Sequence, residues 1–120
     1  MDCIYLHNML FYGYHGVLDA EQELGQRFML DVRLYLDLTS AGRSDDLRQT
    51  VNYAEVYEVV KDIVENRRFR LIETLAETIA QQVLSSFPVE QTAIAIRKPA
   101  APIAGILDYA EVSLVRSRKV

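Results

Sequence analysis

The chain has 120 residues, half of them hydrophobic and a quarter charged, with a net charge of −4 and one cysteine, Cys3. That length supports one core and a single domain over residues 1–120, and leaves concave sites to be completed by a second copy, so an oligomer is expected. No basic stripe awaits nucleic acid, a lone cysteine excludes an internal disulfide or a cysteine-rich zinc site, and no apolar run approaches the roughly 18 residues of a membrane span. The expectation is a cytoplasmic chain with neither nucleic acid nor membrane as partner.

From Asp2 to Tyr12, Ile4, Leu6, Leu10 and Tyr12 alternate with Cys3, Tyr5, His7 and Met9, which predicts a first strand with those four residues on one face. Gly13 to Gly25 lacks periodicity and reads as a loop. A second strand runs through Phe28, Leu30, Val32, Leu34, Leu36 and Leu38, with Arg27, Met29, Asp31, Arg33, Tyr35 and Asp37 on its other face. Ala41 to Gln49 is polar and reads as a loop or irregular turn.

Asn52 followed by Glu55 has the form of a capping box, and Val56, Tyr57, Val60, Ile63 and Val64 follow at helical spacing. A second helix is predicted from about Leu71 to Ser86, stopped by Phe87-Pro88. Strands at about Gln91 to Lys98 and Tyr109 to Arg116 finish the chain, joined by a rigid Pro99 to Pro102 connector. The order ββααββ predicts an α+β two-layer sandwich, with a four-stranded antiparallel sheet and two helices on one face. The other sheet face carries Met29, Tyr35, Ser113 and Val115 among charges, a mixture suited to a subunit-lined interior.

Glu73 stands out because it falls within the apolar arc of the second helix, beside Ala80 and Leu84, where burial is expected. A buried carboxylate needs a partner. Two are open: a ligand presenting adjacent N–H donors, or an Arg of the same chain such as Arg70 or Arg97.

His7 and His15, on a strand and a loop, supply a zinc site poorly, and no metal is expected. His15 reads as a loop residue bonded to backbone. No glycine-rich phosphate cradle or nucleophile elbow occurs. What remains is acid–base chemistry from Glu21, Tyr53, Glu73 and Lys98, each with a bland alternative: a solvated Glu21, a Tyr53 that staples its helix, a snorkelling strand-end Lys98.

Tyr12-Gly13-Tyr14-His15-Gly16-Val17, Glu21, Gly25-Gln26-Arg27-Phe28, Asp45-Asp46, Thr50-Val51-Asn52-Tyr53, Leu71-Ile72-Glu73-Thr74-Leu75-Ala76-Glu77, Lys98-Pro99 and Ala101-Pro102-Ile103 together resemble the bacterial dihydroneopterin aldolase family along essentially the whole chain. The resemblance implies the tunnelling fold, in which subunits join their sheets into a tetrameric ring that commonly stacks into an octamer. It implies a pterin between neighbouring subunits, held by Glu73 and by backbone at Val17, Leu18 and Ile72, with Val51, Asn52 and Tyr53 reaching in from the adjacent chain.

The same resemblance implies a metal-free, cofactor-free retro-aldol cleavage of 7,8-dihydroneopterin, a step in folate biosynthesis. Lys98 would act at the ring nitrogen, Tyr53 in proton transfer at the side chain, and Glu21 in orienting Lys98 and the hydroxyls. A related epimerase, acting on dihydroneopterin or its triphosphate, would use the same intermediate; a triphosphate calls for clustered cations such as Arg43, Arg48 or Arg97. A non-catalytic binding or assembly module of the same shape is the rival from another class.

Overall fold

The computed structural model describes residues 1–118. In chain order the elements are β1 (Asp2–Gly13), α1 (Asp19–Leu24), β2 (Gln26–Leu36), α2 (Thr39–Ser44), a 3-10 turn (Leu47–Gln49), α3 (Tyr53–Asn66), α4 (Ile72–Ser86), β3 (Gln91–Lys98) and β4 (Ala110–Ser117). The strands lie in sequence order in one antiparallel sheet. α3 packs on β1, and α4 on β3 and β4. The α+β sandwich expected from the sequence is the observed architecture.

The helix pair explains the sheet order. α3 leaves the end where β2 finishes and α4 returns to it, so β3 begins beside that end, with Gln91 opposite Tyr35, and runs back to place Arg97 opposite Met29. Phe28, Leu30, Val32 and Leu34 from β2, Ile94 and Ile96 from β3, Val56 and Val60 from α3, and Leu75, Ile79 and Val83 from α4 close the core, each almost wholly buried. Every such side chain contributes about 1.5–3 kcal/mol relative to exposure. Asn52 caps α3, although its side chain accepts from the Ala54 N–H (3.0 Å) and not from Glu55. Among the described residues no helix is long and apolar enough to cross a membrane.

Three sequence expectations need correction. The even-numbered face of β1 does not continue past Leu6, because a bulge shifts the register between Leu6 and Met9 and Asn8 takes a left-handed φ of 50°. One inserted residue exchanges the two faces of a strand. Met9 and Phe11 therefore enter the core, while Leu10 and Tyr12 are exposed. Second, the segments read as loops hold short helices, α1 and α2, too brief for helical periodicity to register, and the last connector spans 99–109, well beyond Pro102.

The third concerns Glu73, which is exposed. Its direction around α4 is the one read from the sequence, since Ala80 and Leu84 on the same side are buried. Its position along the axis decides the outcome: it lies in the first turn, ahead of the residues that the sheet covers.

Candidate functional site

Lys98 is the last residue of β3, in phase with the buried Ile94 and Ile96, so the pleat directs it to the helix side of the sheet. There it forms an ion pair with Glu21, and both side chains are nearly closed off from solvent, at 11% and 10% exposure. Glu21 reaches this place because it is the third residue of α1: its Oε1 accepts from the Leu18 N–H (3.2 Å), the reach-back half of a helix cap. Its Oε2 also accepts from Gln26 Nε2 (3.1 Å). Burial raises the Glu21 pKa, but the Lys98 ammonium, the Leu18 N–H and the Gln26 amide outweigh it and hold the carboxyl below its ordinary value.

Backbone geometry makes room for this pair. A Cβ on Gly16 would overlap the Glu21 carboxyl, so only glycine lets the acid fold back against the loop. Gly25 closes α1 at a φ of 69°, a conformation that glycine adopts freely, with its N–H bonded to the Glu21 carbonyl.

His15 is fully buried under the same loop. Its Nε2 lies 2.8 Å from the Val64 carbonyl and its Nδ1 accepts from the Phe69 N–H (3.1 Å), which fixes a neutral ring carrying its proton on Nε2. Burial pulls its pKa below the ordinary value; the bond to Val64 opposes this, and the charges of Lys98 and Arg68 reinforce it. The expectation of a loop histidine bonded to backbone is met.

The Phe69 carbonyl accepts from the Gly16 N–H (3.0 Å), which lays the loop at 16–18 beside the linker leading into α4. Val17 and Leu18 are about half exposed on that loop, while Ile72 is buried and Glu73 exposed at the start of α4. Among the described residues Glu73 has no hydrogen-bond or ion-pair partner. Arg97 is committed elsewhere: it pairs with Asp31 and Glu111 on the opposite sheet face.

Val17, Leu18, Glu21, Ile72, Glu73 and Lys98 therefore gather at one end of the sheet. Val51, Asn52 and Tyr53 do not join them. They sit where α3 begins, at the end marked by the Tyr35–Gln91 pairing, about 20 Å away at some 3.3 Å per strand residue. Tyr53 is exposed there and Val51 is buried. One chain thus places the two groups of expected site residues at opposite ends of its sheet.

Sequence reading missed the supports of Glu21, namely Gly16 and Gln26, and the whole Asp31 cluster. Asp31 is buried, although it points away from the core. It accepts from the bulged Asn8 N–H (2.7 Å), the Tyr5 hydroxyl (3.0 Å) and Arg97, and burial's upward push on its pKa is overcome by these donors, leaving it at about 2. The one hint in the sequence was an acid two residues from Arg33 on a face that also carries Arg27 and Tyr35. Among the described residues no three His, Cys, Asp or Glu side chains cluster so as to hold a metal ion.

Comparison with known proteins decides the family. The family model described as dihydroneopterin aldolase matches residues 4–115. The chain belongs to the dihydroneopterin aldolase family, and with it to the aldehyde-lyases. It is 52% identical over 120 residues to the dihydroneopterin aldolase of Bacillus subtilis, covering 99% of this chain and 98% of that one. Its structure is similar to that of the Escherichia coli dihydroneopterin aldolase solved in complex with neopterin, with a TM-score of 0.90, 30% identity and coverage of 98% and 100%. It is also similar to the Burkholderia thailendensis dihydroneopterin aldolase bound to guanine, with a TM-score of 0.80, 27% identity and coverage of 98% and 92%.

Proposed function

We propose that this chain is a 7,8-dihydroneopterin aldolase that cleaves its substrate to 6-hydroxymethyl-7,8-dihydropterin and glycolaldehyde, within folate biosynthesis, without a metal or other cofactor. The observation that carries the reading is Glu73: an exposed carboxylate, without a partner among the described residues, at the same end of the sheet as the shielded Glu21–Lys98 pair. Neopterin and guanine, held by two structural relatives, share one chemical edge, an exocyclic amine beside a ring N–H. Two parallel donors of that kind match the two oxygens of a carboxylate. Backbone at Val17, Leu18 and Ile72 would border the ring.

The reaction breaks the bond between the first and second side-chain carbons. Removing the proton from the second carbon's hydroxyl lets the bond's electrons flow into the ring imine, and glycolaldehyde leaves. Lys98 donates a proton to the ring nitrogen as the enamine forms, so the substrate's own ring stores the electrons. Protonation of the first carbon and loss of the nitrogen's proton then give the product. Glu21 holds Lys98 and orients the hydroxyls, and Tyr53 transfers the side-chain proton.

Tyr53 lies at the opposite end of the sheet from Lys98, so its part in this chemistry needs a second subunit, with Asn52 and the backbone of the buried Val51 beside it. The sheet supports such an assembly: β1 and β4 are both unpaired edges in the single chain, and an edge strand of β1 can extend another copy's β4. Repeated four times this closes a tetrameric ring, and two rings make an octamer. Re-adding glycolaldehyde to the same enamine inverts the second carbon, which makes epimerisation a side activity.

The test is turnover of 7,8-dihydroneopterin in the presence of a strong chelator. Equal amounts of the two products, with a minor epimer, support the reading. No cleavage, or cleavage abolished by the chelator, overturns it.

A further inference from the structure

The pterin proposed above would be bordered by two separate segments, the loop carrying Val17 and Leu18 and the stretch from Phe69 to Glu73 that opens α4. Two backbone groups of Phe69 join them. Its carbonyl takes the Gly16 N–H (3.0 Å), and its N–H is taken by His15 Nδ1 (3.1 Å). The opposite side of the same imidazole reaches the Val64 carbonyl (2.8 Å), near the C-terminus of α3, where helix carbonyls have no partner within the helix. The ring is stacked on Phe69, with centroids 5.7 Å apart, and meets Phe28 edge-on at 5.3 Å. A Cβ on Gly13 would press on it at 2.9 Å. The imidazole is thus a fitted strut between the two walls and α3.

We propose that His15 is a positioning residue whose neutral ring fastens the walls of the pterin cleft to each other, so that gaining a proton separates them and weakens ligand binding. A protonated imidazole carries N–H on both nitrogens. Nδ1 would then aim a donor at the Phe69 N–H, converting a hydrogen bond into a repulsion, and Phe69 is only four residues from Glu73. The charged groups facing the ring oppose protonation: Lys98 from β3 and Arg68 from the linker, with the Glu21 carboxylate of α1 committed to Lys98. From β1 and β2 the uncharged Gly13 and Phe28 lie against the ring. The fastening therefore holds at neutral pH and yields on the acid side of the ordinary histidine range.

This inference rests on the pterin reading above, and the experiment separates the two. Neopterin affinity of the wild-type protein is measured from about pH 8 to about pH 5. The 15N shifts of His15 and the far-UV circular dichroism are followed over the same range. Affinity should fall about tenfold, the equivalent of one hydrogen bond, in step with the imidazole transition and with secondary structure intact. In His15→Asn, whose amide oxygen stands near the place of Nδ1 and does not titrate, that step should vanish.

If this variant fails to fold, the wild-type titration decides alone. An imidazole still neutral at about pH 5, or affinity that stays level through its transition or falls before it, overturns the inference and leaves the pterin reading intact. Absence of neopterin binding at pH 8 overturns both.

Discussion

Arg97 and Lys98 are adjacent on β3, and the pleat sends them to opposite faces, each to meet a carboxylate largely shielded from solvent. Arg97 is clamped between two carboxylates: its Nη2 bonds Asp31, its Nε bonds Glu111 (2.8 Å), and its guanidinium lies over the Tyr109 ring. Asp31 is equally committed, binding Tyr5 and the bulged Asn8 amide. Lys98 has Glu21 as its one ion-pair partner among the described residues, and an ammonium has three protons to give. The same charge pairing thus makes a lock on one face, where one cation is held by two carboxylates, and on the other leaves an ammonium with a single carboxylate, the group proposed above as the acid. A cavity of about 150 Å³ beside the lock is lined by Tyr5, Asp31, Arg33, Arg97 and Glu111, groups that already satisfy one another.

The comparison can be broken most forcefully at Lys98. Lys98→Ala should lower kcat by about 10²–10⁴-fold while neopterin affinity changes by less than about threefold. Single-turnover kinetics and a binding titration read the two effects separately. Asp31→Ala should do the reverse, reducing stability by about 3–5 kcal/mol in a denaturant melt by taking the acceptor from the Asn8 N–H, the Tyr5 hydroxyl and one side of Arg97, with kcat per folded molecule near wild type. A loss of kcat equal to that of Lys98→Ala would erase the distinction between lock and acid.

A milder probe leaves the sequence intact. The folded Asp31 pKa of about 2 lies below its ordinary 3.8, so the contribution, about 2 kcal/mol, is fully present above pH 3.8 and disappears as pH falls toward 2. Denaturant melts across that interval should show the decline in wild type and a flatter profile in Asp31→Asn. Smallest of all, Gly16→Ala should push the Glu21 carboxyl away from Lys98 and reduce kcat/KM by about tenfold, the equivalent of one positioning hydrogen bond. Unchanged kinetics would show that Glu21 does not tune the acid.

Much of this was legible in the sequence, and the failures have physical causes. β2, α3 and α4 announced themselves because one face of each is buried along several turns or residues, which imprints a period. The Asn8 bulge left no such imprint, since it inserts one residue and reverses the pattern on either side. α1 was invisible for another reason: its six residues bury no side chain wholly, and it exists to hold Glu21. Glu73 was placed correctly around its helix and wrongly in depth, because periodicity reports angle and says nothing of how far the sheet extends beneath each turn. The opposite placement of Tyr53 and Lys98 depends on strand register, which single segments do not encode.

Glu73→Gln separates ligand binding from folding. Because the carboxylate is exposed and supports no internal contact among the described residues, the substitution should leave the denaturant midpoint unchanged. Neopterin Kd should nevertheless rise at least about tenfold, since a carboxamide presents a donor to one of the ligand's two N–H groups. Neopterin affinity equal to wild type, or a loss of stability in place of a loss of binding, would contradict the account.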